Sequence, residues 1–398
     1  SQLSLLFRFI QYIERQVVLF DAIEDAAFPI VNNMDGIGTL RSLKESATAE
    51  KKLETLKKYL EEFKVRIVLT AHPTQFYPGA VLGIITDLTQ AIRENDLLRI
   101  NELLAQLGKT PFFKHKKPTP YDEAVSLIWY LENVFYKSFG TIYDYIQQNI
   151  FDGKQIENDI INIGFWPGGD RDGNPFVTPE ITLKVAARLR ETIIKNYHRD
   201  IRGLRRKLTF SGVEQRIIKL ETELYNSITH QKSSLTLDSF TQELKEIKQL
   251  IIDQHQSLYV SQINSLLNKV HLFGFHFANL DIRQDSRKHA QFFNTLVTAL
   301  IESGSTIFPE NYFDLKEDQQ IQVLSKVQGK VDLSLIKDEE TLKALHTMKA
   351  IKTIQSTNGQ AAANRYIISN NQSTLHVMQL FAMLKIVAFD DALTVDIG

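Results

Sequence analysis

Four times along this chain a short apolar run stops abruptly in polar residues and then hands over to a helical pattern. Few architectures other than a parallel sheet with helical crossovers satisfy that alternation. Val65 to Leu69 reads VRIVL and ends in Thr70-Ala71-His72-Pro73-Thr74. Ile160 to Phe165 runs into a stretch rich in Gly, Asp, Asn and Pro. Phe275 to Ile282 sets Phe275, Phe277, Asn279 and Asp281 against His276, Ala278, Leu280 and Ile282, and ends in Arg283-Gln284-Asp285-Ser286. Tyr366 to Ser369 precedes a helix from about Thr374 to Leu384.

The expected class is therefore α/β and predominantly helical. It is a partial (β/α)8 TIM-type barrel of about four strands with long helical insertions. Residues 1–64 are expected to be N-terminal helices and 65–398 the half-barrel, the two forming one continuous domain, with Val387 to Gly398 leading toward a fifth strand. Such a half-barrel has open sheet edges, which predicts self-association.

Helical spacing from Leu3 to Phe28 predicts a core-facing helix with Leu5, Phe9, Tyr12, Val17, Phe20 and Ile23 inward. A charged amphipathic helix is expected from about Leu43 to Phe63, and further helices from Val81 to Leu107. Thr119-Pro120-Tyr121-Asp122 is a helix start, with Thr as N-cap, Pro in the first position and Asp at the positive end of the dipole. The helix it opens should carry Val125, Ile128, Trp129, Phe135 and Tyr136 inward. Thr178-Pro179-Glu180 caps another long helix, and helical sequence continues to about Lys269, broken near Ser233 and Ser234.

A net charge of −1 gives no overall basic field for nucleic acid, and the basic run Arg202 to Lys207 reads as the solvated end of a helix. The absence of cysteine excludes disulfides and thiolate metal sites and fits a reducing cytoplasm. Leu3 to Ile10 is interrupted by Arg8 and is too short to span a bilayer, so neither a membrane partner nor a signal peptide is expected.

The chemistry concentrates between Asn162 and Thr178. Gly168, Gly169 and Gly173 let backbone approach a ligand, and Asp170, Arg171, Asp172 and Asn174 can converge from one turn. An ordinary polar turn has the same composition. A calcium loop fits Asp170, Asp172 and Asn174 but fails at Pro175 and Ile181, where Gly and Glu are needed. Neither GxGxxG nor GK[ST] follows, so a nucleotide phosphate cradle is excluded.

From Gly168 to Thr178 this stretch resembles the GGDRDGNP segment of phosphoenolpyruvate carboxylases. VLTAHPTQ at Val68 to Gln75, LDIRQDS followed by Lys288 and His289, and KPTPYDEA at Lys117 to Ala124 resemble further segments of the same family, in the same order. The resemblance implies carboxylation of phosphoenolpyruvate by bicarbonate to oxaloacetate and phosphate, with Mg2+ or Mn2+. It implies that His72 is the catalytic histidine and Arg283 a catalytic, phosphate-binding arginine, with Trp166 beside the bicarbonate pocket. Arg171 is carried over as a substrate contact, and Asp170, Asp172, Asn174 and Gln284 as supporting residues. Asp170, Arg171 and Asp172 together suggest an ion network that stiffens the turn, and Gln75, Ser286 and His289 lie close to the implied site in sequence. From the residues alone, Arg283 could instead pair with Asp281 or Asp285.

Three departures from the family pattern stand out. Gln75-Phe76-Tyr77-Pro78-Gly79 replaces an arginine pair, Pro167 replaces a hydrophobic residue, and Gly108 to Phe112 lacks a tryptophan-containing segment. Family chains are also about twice this length. The resemblance therefore implies an N-terminal part whose partner is the remaining half, carrying the metal ligands, with the whole enzyme a homotetramer and this part alone inactive. A catalytically silent scaffold or regulatory homologue is the competing reading, and a different phosphoenolpyruvate or acyl-phosphate lyase on the same fold is a third.

Overall fold

A computed structural model describes residues 2–70, 77, 79–112, 118–229, 234–389 and 393–398. They pack as two compact units, one holding the described residues of 1–56 and 72–118, the other those of 57–71 and 119–398.

In the first unit α1 (Gln2–Val31) packs on α4 (Gly79–Arg93), which packs on α5 (Leu97–Leu107). Their core joins Val18 and Ala22 of α1 to Val81, Ile84 and Leu88 of α4 and to Leu103 and Leu107 of α5. The inward face of α1 is therefore not the one its spacing predicts. Leu5, Phe9, Tyr12, Val17, Phe20 and Ile23 are exposed, Phe20 to 66%, while Val18, Ala22 and Ala26 are buried. Small residues let two helix backbones approach closely, and they outrank bulk in choosing this face. The charged helix expected from Leu43 to Phe63 is two helices, α2 (Leu40–Ala49) and α3 (Leu53–Glu62). Lys51 at φ 55 adopts the left-handed conformation that ends the first of them.

In the second unit β1 (Val65–Leu69) is followed by α6 (Pro120–Tyr130), which continues through a π-helical turn at Leu131–Phe135 into α7 (Tyr136–Asn149). Thr119 and Asp122 form a reciprocal capping box at the start of α6, with Pro120 in the first turn. Ile128 and Tyr136 are buried, but Trp129 is 53% exposed and does not face the core as its spacing predicts. After β2 (Ile161–Phe165) come α8 (Pro179–Arg205), α9 (Glu214–Ile228), α10 (Leu237–Gln254) and α11 (Val260–Phe273). Next are β3 (Asn279–Leu280), β4 (Ile282–Asp285), α12 (Ser286–Glu302), α13 (Glu317–Ser325), α14 (Glu339–Asn358), β5 (Arg365–Ser369), α15 (Thr374–Val387) and β6 (Asp396–Ile397).

All strand pairings are parallel. The order is β1-β2-β3 in one arc and β4-β5-β6 in the other. The arcs meet in the run 279–285, where β3 and β4 are separated only by Asp281, whose N–H donates to the Phe165 carbonyl at 2.9 Å. No closed barrel forms among the described residues. The strand expected from Phe275 begins only at Asn279, because Phe277 at φ 65 sits in a tight turn. Phe275, Phe277, Ala278, Leu280 and Ile282 are all buried, so alternation there carried no inside–outside information.

Candidate active site

β2 ends at Phe165, and Trp166 still donates its N–H to the Leu69 carbonyl of β1 at 2.9 Å. The chain then folds back, with the N–H groups of Gly169 and Asp170 both donating to the Trp166 carbonyl at 2.9 Å. Gly168 at φ +83 permits the reversal, and a Cβ on Gly169 would lie 2.1 Å from the Asp281 carbonyl oxygen. This close approach lets the loop continue the sheet. Arg283 N donates to the Gly169 carbonyl at 3.1 Å, and Arg171 N donates to the Arg283 carbonyl at 2.9 Å. Thr178 caps α8, and Thr182 Oγ1 donates to the Gly168 carbonyl at 2.7 Å, holding the turn from below.

That geometry brings together residues far apart in sequence. The Arg283 guanidinium lies 5.0 Å above the Trp166 ring. Its Nη1 donates to Asp170 Oδ1 and Oδ2 at 3.1 and 2.9 Å, and its Nη2 is 2.7 Å from Asp172 Oδ2. The partners are thus the aspartates of the turn, not the adjacent Asp281 or Asp285. Burial raises the Asp170 carboxyl above its ordinary range, outweighing the neighbouring guanidinium.

Beside this cluster Arg66 reaches from β1 across the sheet. Its guanidinium donates to Asn162, to Asn279 Oδ1 at 3.2 Å and to Asp281 Oδ1 at 2.6 Å. Trp166 Nε1 donates to the other oxygen of Asp281 at 3.3 Å. Burial raises the Asp281 carboxyl, against the pull of Arg66. Sequence reasoning missed Arg66, although an arginine inside the otherwise apolar VRIVL was the available signal.

The remaining sequence candidates lie elsewhere. Arg171 is not part of an ion network with Asp170 and Asp172; its Nη1 donates to Thr347 Oγ1 on α14 at 3.0 Å. Asn174 Oδ1 accepts from Phe176 N at 3.1 Å, an Asx turn. Gln284 is buried and accepts from Asp285 N at 2.9 Å. Ser286 Oγ donates to the Asn370 carbonyl at 2.7 Å. His289 is fully buried, and neither ring nitrogen has a hydrogen-bond partner. His72 and Gln75 lie outside the described residues.

Chemically, the cluster is a guanidinium on an indole face, ion-paired to two carboxylates. Among the described residues no group of three or more His, Asp or Glu side chains is placed to hold a metal ion. No helix among them is long and apolar enough to cross a membrane.

Parallel strands joined by helical crossovers, with charged and aromatic groups gathered at and just past the strand ends, define an α/β protein of the strand-end-site class. The family model for phosphoenolpyruvate carboxylase matches residues 23–237 and 213–396, and the chain belongs to that family. It is 27% identical over 375 residues to the phosphoenolpyruvate carboxylase of Shewanella loihica, covering 82% of this chain and 42% of the relative. The Shewanella sediminis enzyme is 26% identical over 397 residues, covering 87% and 43%. The Prochlorococcus marinus subsp. pastoris enzyme is 25% identical over 413 residues, covering 83% and 41%. The chain therefore spans about four-tenths of the length of the curated relatives it matches.

Proposed function

We propose that this chain forms part of a phosphoenolpyruvate carboxylase and supplies His72, Arg283 and Trp166 to its active site. The observation that carries the reading is the Arg283 guanidinium stacked 5.0 Å over the Trp166 indole, within a chain of this family. A planar, permanently charged fork suits a phosphoryl group, and an indole excludes water from a reactive enolate. Adjacent strand order with helical crossovers favours reading the sheet as the first part of a (β/α)8 barrel.

In this reading a bicarbonate oxygen attacks phosphorus and the P–O bond to the enol breaks, leaving carboxyphosphate and an enolate. Carboxyphosphate then releases carbon dioxide and phosphate, and the enolate carbon attacks carbon dioxide to give oxaloacetate. Arg283 holds the transferring phosphoryl group, which requires Asp170 and Asp172 to yield their bonds to it. His72 exchanges the proton near carboxyphosphate and retains carbon dioxide beside the enolate. Arg171 is left out of this assignment, because it lines a cleft together with Gln284, whose side chain lies on the opposite face of β4 from Arg283.

Among the described residues no side-chain group is placed to hold the family's Mg2+ or Mn2+, so no step is routed through it. We place its ligands, and much of the homotetramer contact, in the region that relatives carry beyond the matched part. On that basis this chain alone is expected to be inactive.

The test is oxaloacetate formation from phosphoenolpyruvate, bicarbonate and Mg2+, coupled to NADH oxidation by malate dehydrogenase. It is run on this chain alone and with the remaining part of a relative supplied in trans. The expected result is turnover only in the mixture, lost with His72→Asn. A mixture that assembles but shows no turnover would favour the second reading, a catalytically silent homologue. The two carboxylates already seated on Arg283 are the observation on its side.

A further inference from the structure

Arg171 and Arg283 are held in neighbouring segments of the same sheet, yet they serve different surfaces. Arg283 and Gln284 are consecutive in β4 and so project to opposite faces, and Arg171 lines the cleft on the Gln284 side. Arg171 is only 8% exposed, and among the described residues no carboxylate forms an ion pair with it. Its side-chain acceptor among the described residues is the neutral hydroxyl of Thr347, which in turn donates a hydrogen bond to the Lys343 carbonyl at 2.9 Å. A guanidinium carries five N–H donors, and burying its charge against one neutral acceptor is unfavourable unless an anion is supplied.

The cleft before it has a volume of about 440 Å³ and is also lined by Asn174, Gln284, Lys288 and Gln291. Three acids border it, and each is already in an ion pair, Arg283 being shared with Asp170 and Lys343 with Glu339. Asp172 lies 2.7 Å from Arg283, Asp285 2.9 Å from Arg287, and Glu340 3.2 Å from Lys343. Lys288 is exposed and makes no ion pair among the described residues, although its field reaches Asp338. The next residue of α12, His289, is fully buried with both ring nitrogens unpartnered. Two cations at this cleft therefore have no carboxylate partner among the described residues, Arg171 from within and Lys288 at the rim.

We propose that this cleft binds a small oxyanion, a phosphoryl or carboxylate group, held by the Arg171 guanidinium with Lys288 and the Gln284 amide, separately from Arg283. The inference does not rest on the carboxylation reading and survives its failure.

Calorimetric titration of the chain with inorganic phosphate, and separately with acetate at matched ionic strength, tests it. Saturable binding is expected, about tenfold or more weaker in Arg171→Gln and about threefold weaker in Lys288→Ala. Lys288 is solvent-facing, so its variant carries the test if Arg171→Gln does not fold. Tighter binding of phosphate assigns a phosphoryl group and tighter binding of acetate a carboxylate. No saturable binding of either anion, or binding with the same affinity in Lys288→Ala as in the unaltered chain, overturns the proposal.

Discussion

The indole N–H of Trp166 and the guanidinium of Arg66 share one carboxylate, Asp281, from opposite oxygens at 3.3 and 2.6 Å. The Asp281 side chain is 2% exposed, so it depends on these donors for its charge. Arg66→Met is expected to remove about 3–5 kcal/mol of stability at neutral pH, measured by urea unfolding. The raised carboxyl would rise further, so the deficit should grow as pH increases and Asp281 ionises. Arg66→Met with Asp281→Leu should recover most of the loss. A single-variant deficit below about 1 kcal/mol would mean that the pair adds little.

Two glycines of one turn should respond differently to a methyl group. Gly169→Ala sets Cβ against the Asp281 carbonyl and must part the turn from β4, at a loss of about 3 kcal/mol or more. Gly173, at φ +70 with open space where a methyl group would sit, meets only backbone strain, about 1–2 kcal/mol on substitution by Ala. Equal losses in urea midpoints would contradict the close approach as the reason for Gly169.

Buried histidines should make the fold acid-sensitive. Burial pushes His276 down to about 4 and His289 to about 3, from an ordinary 6.5. Both are therefore neutral when folded at pH values where the unfolded chain is protonated. Their contribution is complete above 6.5 and is lost as pH falls toward 4 and 3. In that interval each removes about 1.4 kcal/mol per pH unit. His289→Phe, beside the Tyr366 ring 5.2 Å away, should flatten the slope of stability against pH by one proton. An unchanged slope would show that His289 already titrates in the folded chain.

On α1 the small residues should matter more than the large ones. Ala22→Leu overfills a fully buried position against α4 and is expected to cost about 1–3 kcal/mol. Phe9→Ser, at a position 59% exposed, should change stability by less than about 0.5 kcal/mol in the same thermal or urea assay.

Much of this arrangement is legible in the sequence because local rules suffice for it. Thr119 and Thr178 cap the helices they announce, and the apolar runs ending at Leu69, Phe165 and Ser369 end where their strands do, whereas the run to Ile282 continues as β4 through Asp285. Residues that act across the sheet were harder to read. Arg283 has aspartates beside it in sequence, but its partners are Asp170 and Asp172, brought over by the backbone approach at Gly169. Arg66 joins three strands that only the fold makes neighbours. On α1 a helical period was evident without its phase, because apolar residues occupy nearly every side of the helix and Ala22 gives no hydropathic signal.

The carboxylates on Arg283 amount to a tethered competitor. Asp170 and Asp172 cannot diffuse away, so any free oxyanion reaching that guanidinium is opposed by groups at high effective concentration. The affinity that the intact turn displays is then lower than the intrinsic affinity of the fork, by the factor needed to release it. Tightness of binding at this position is accordingly set by the turn that grips the arginine as much as by the arginine itself.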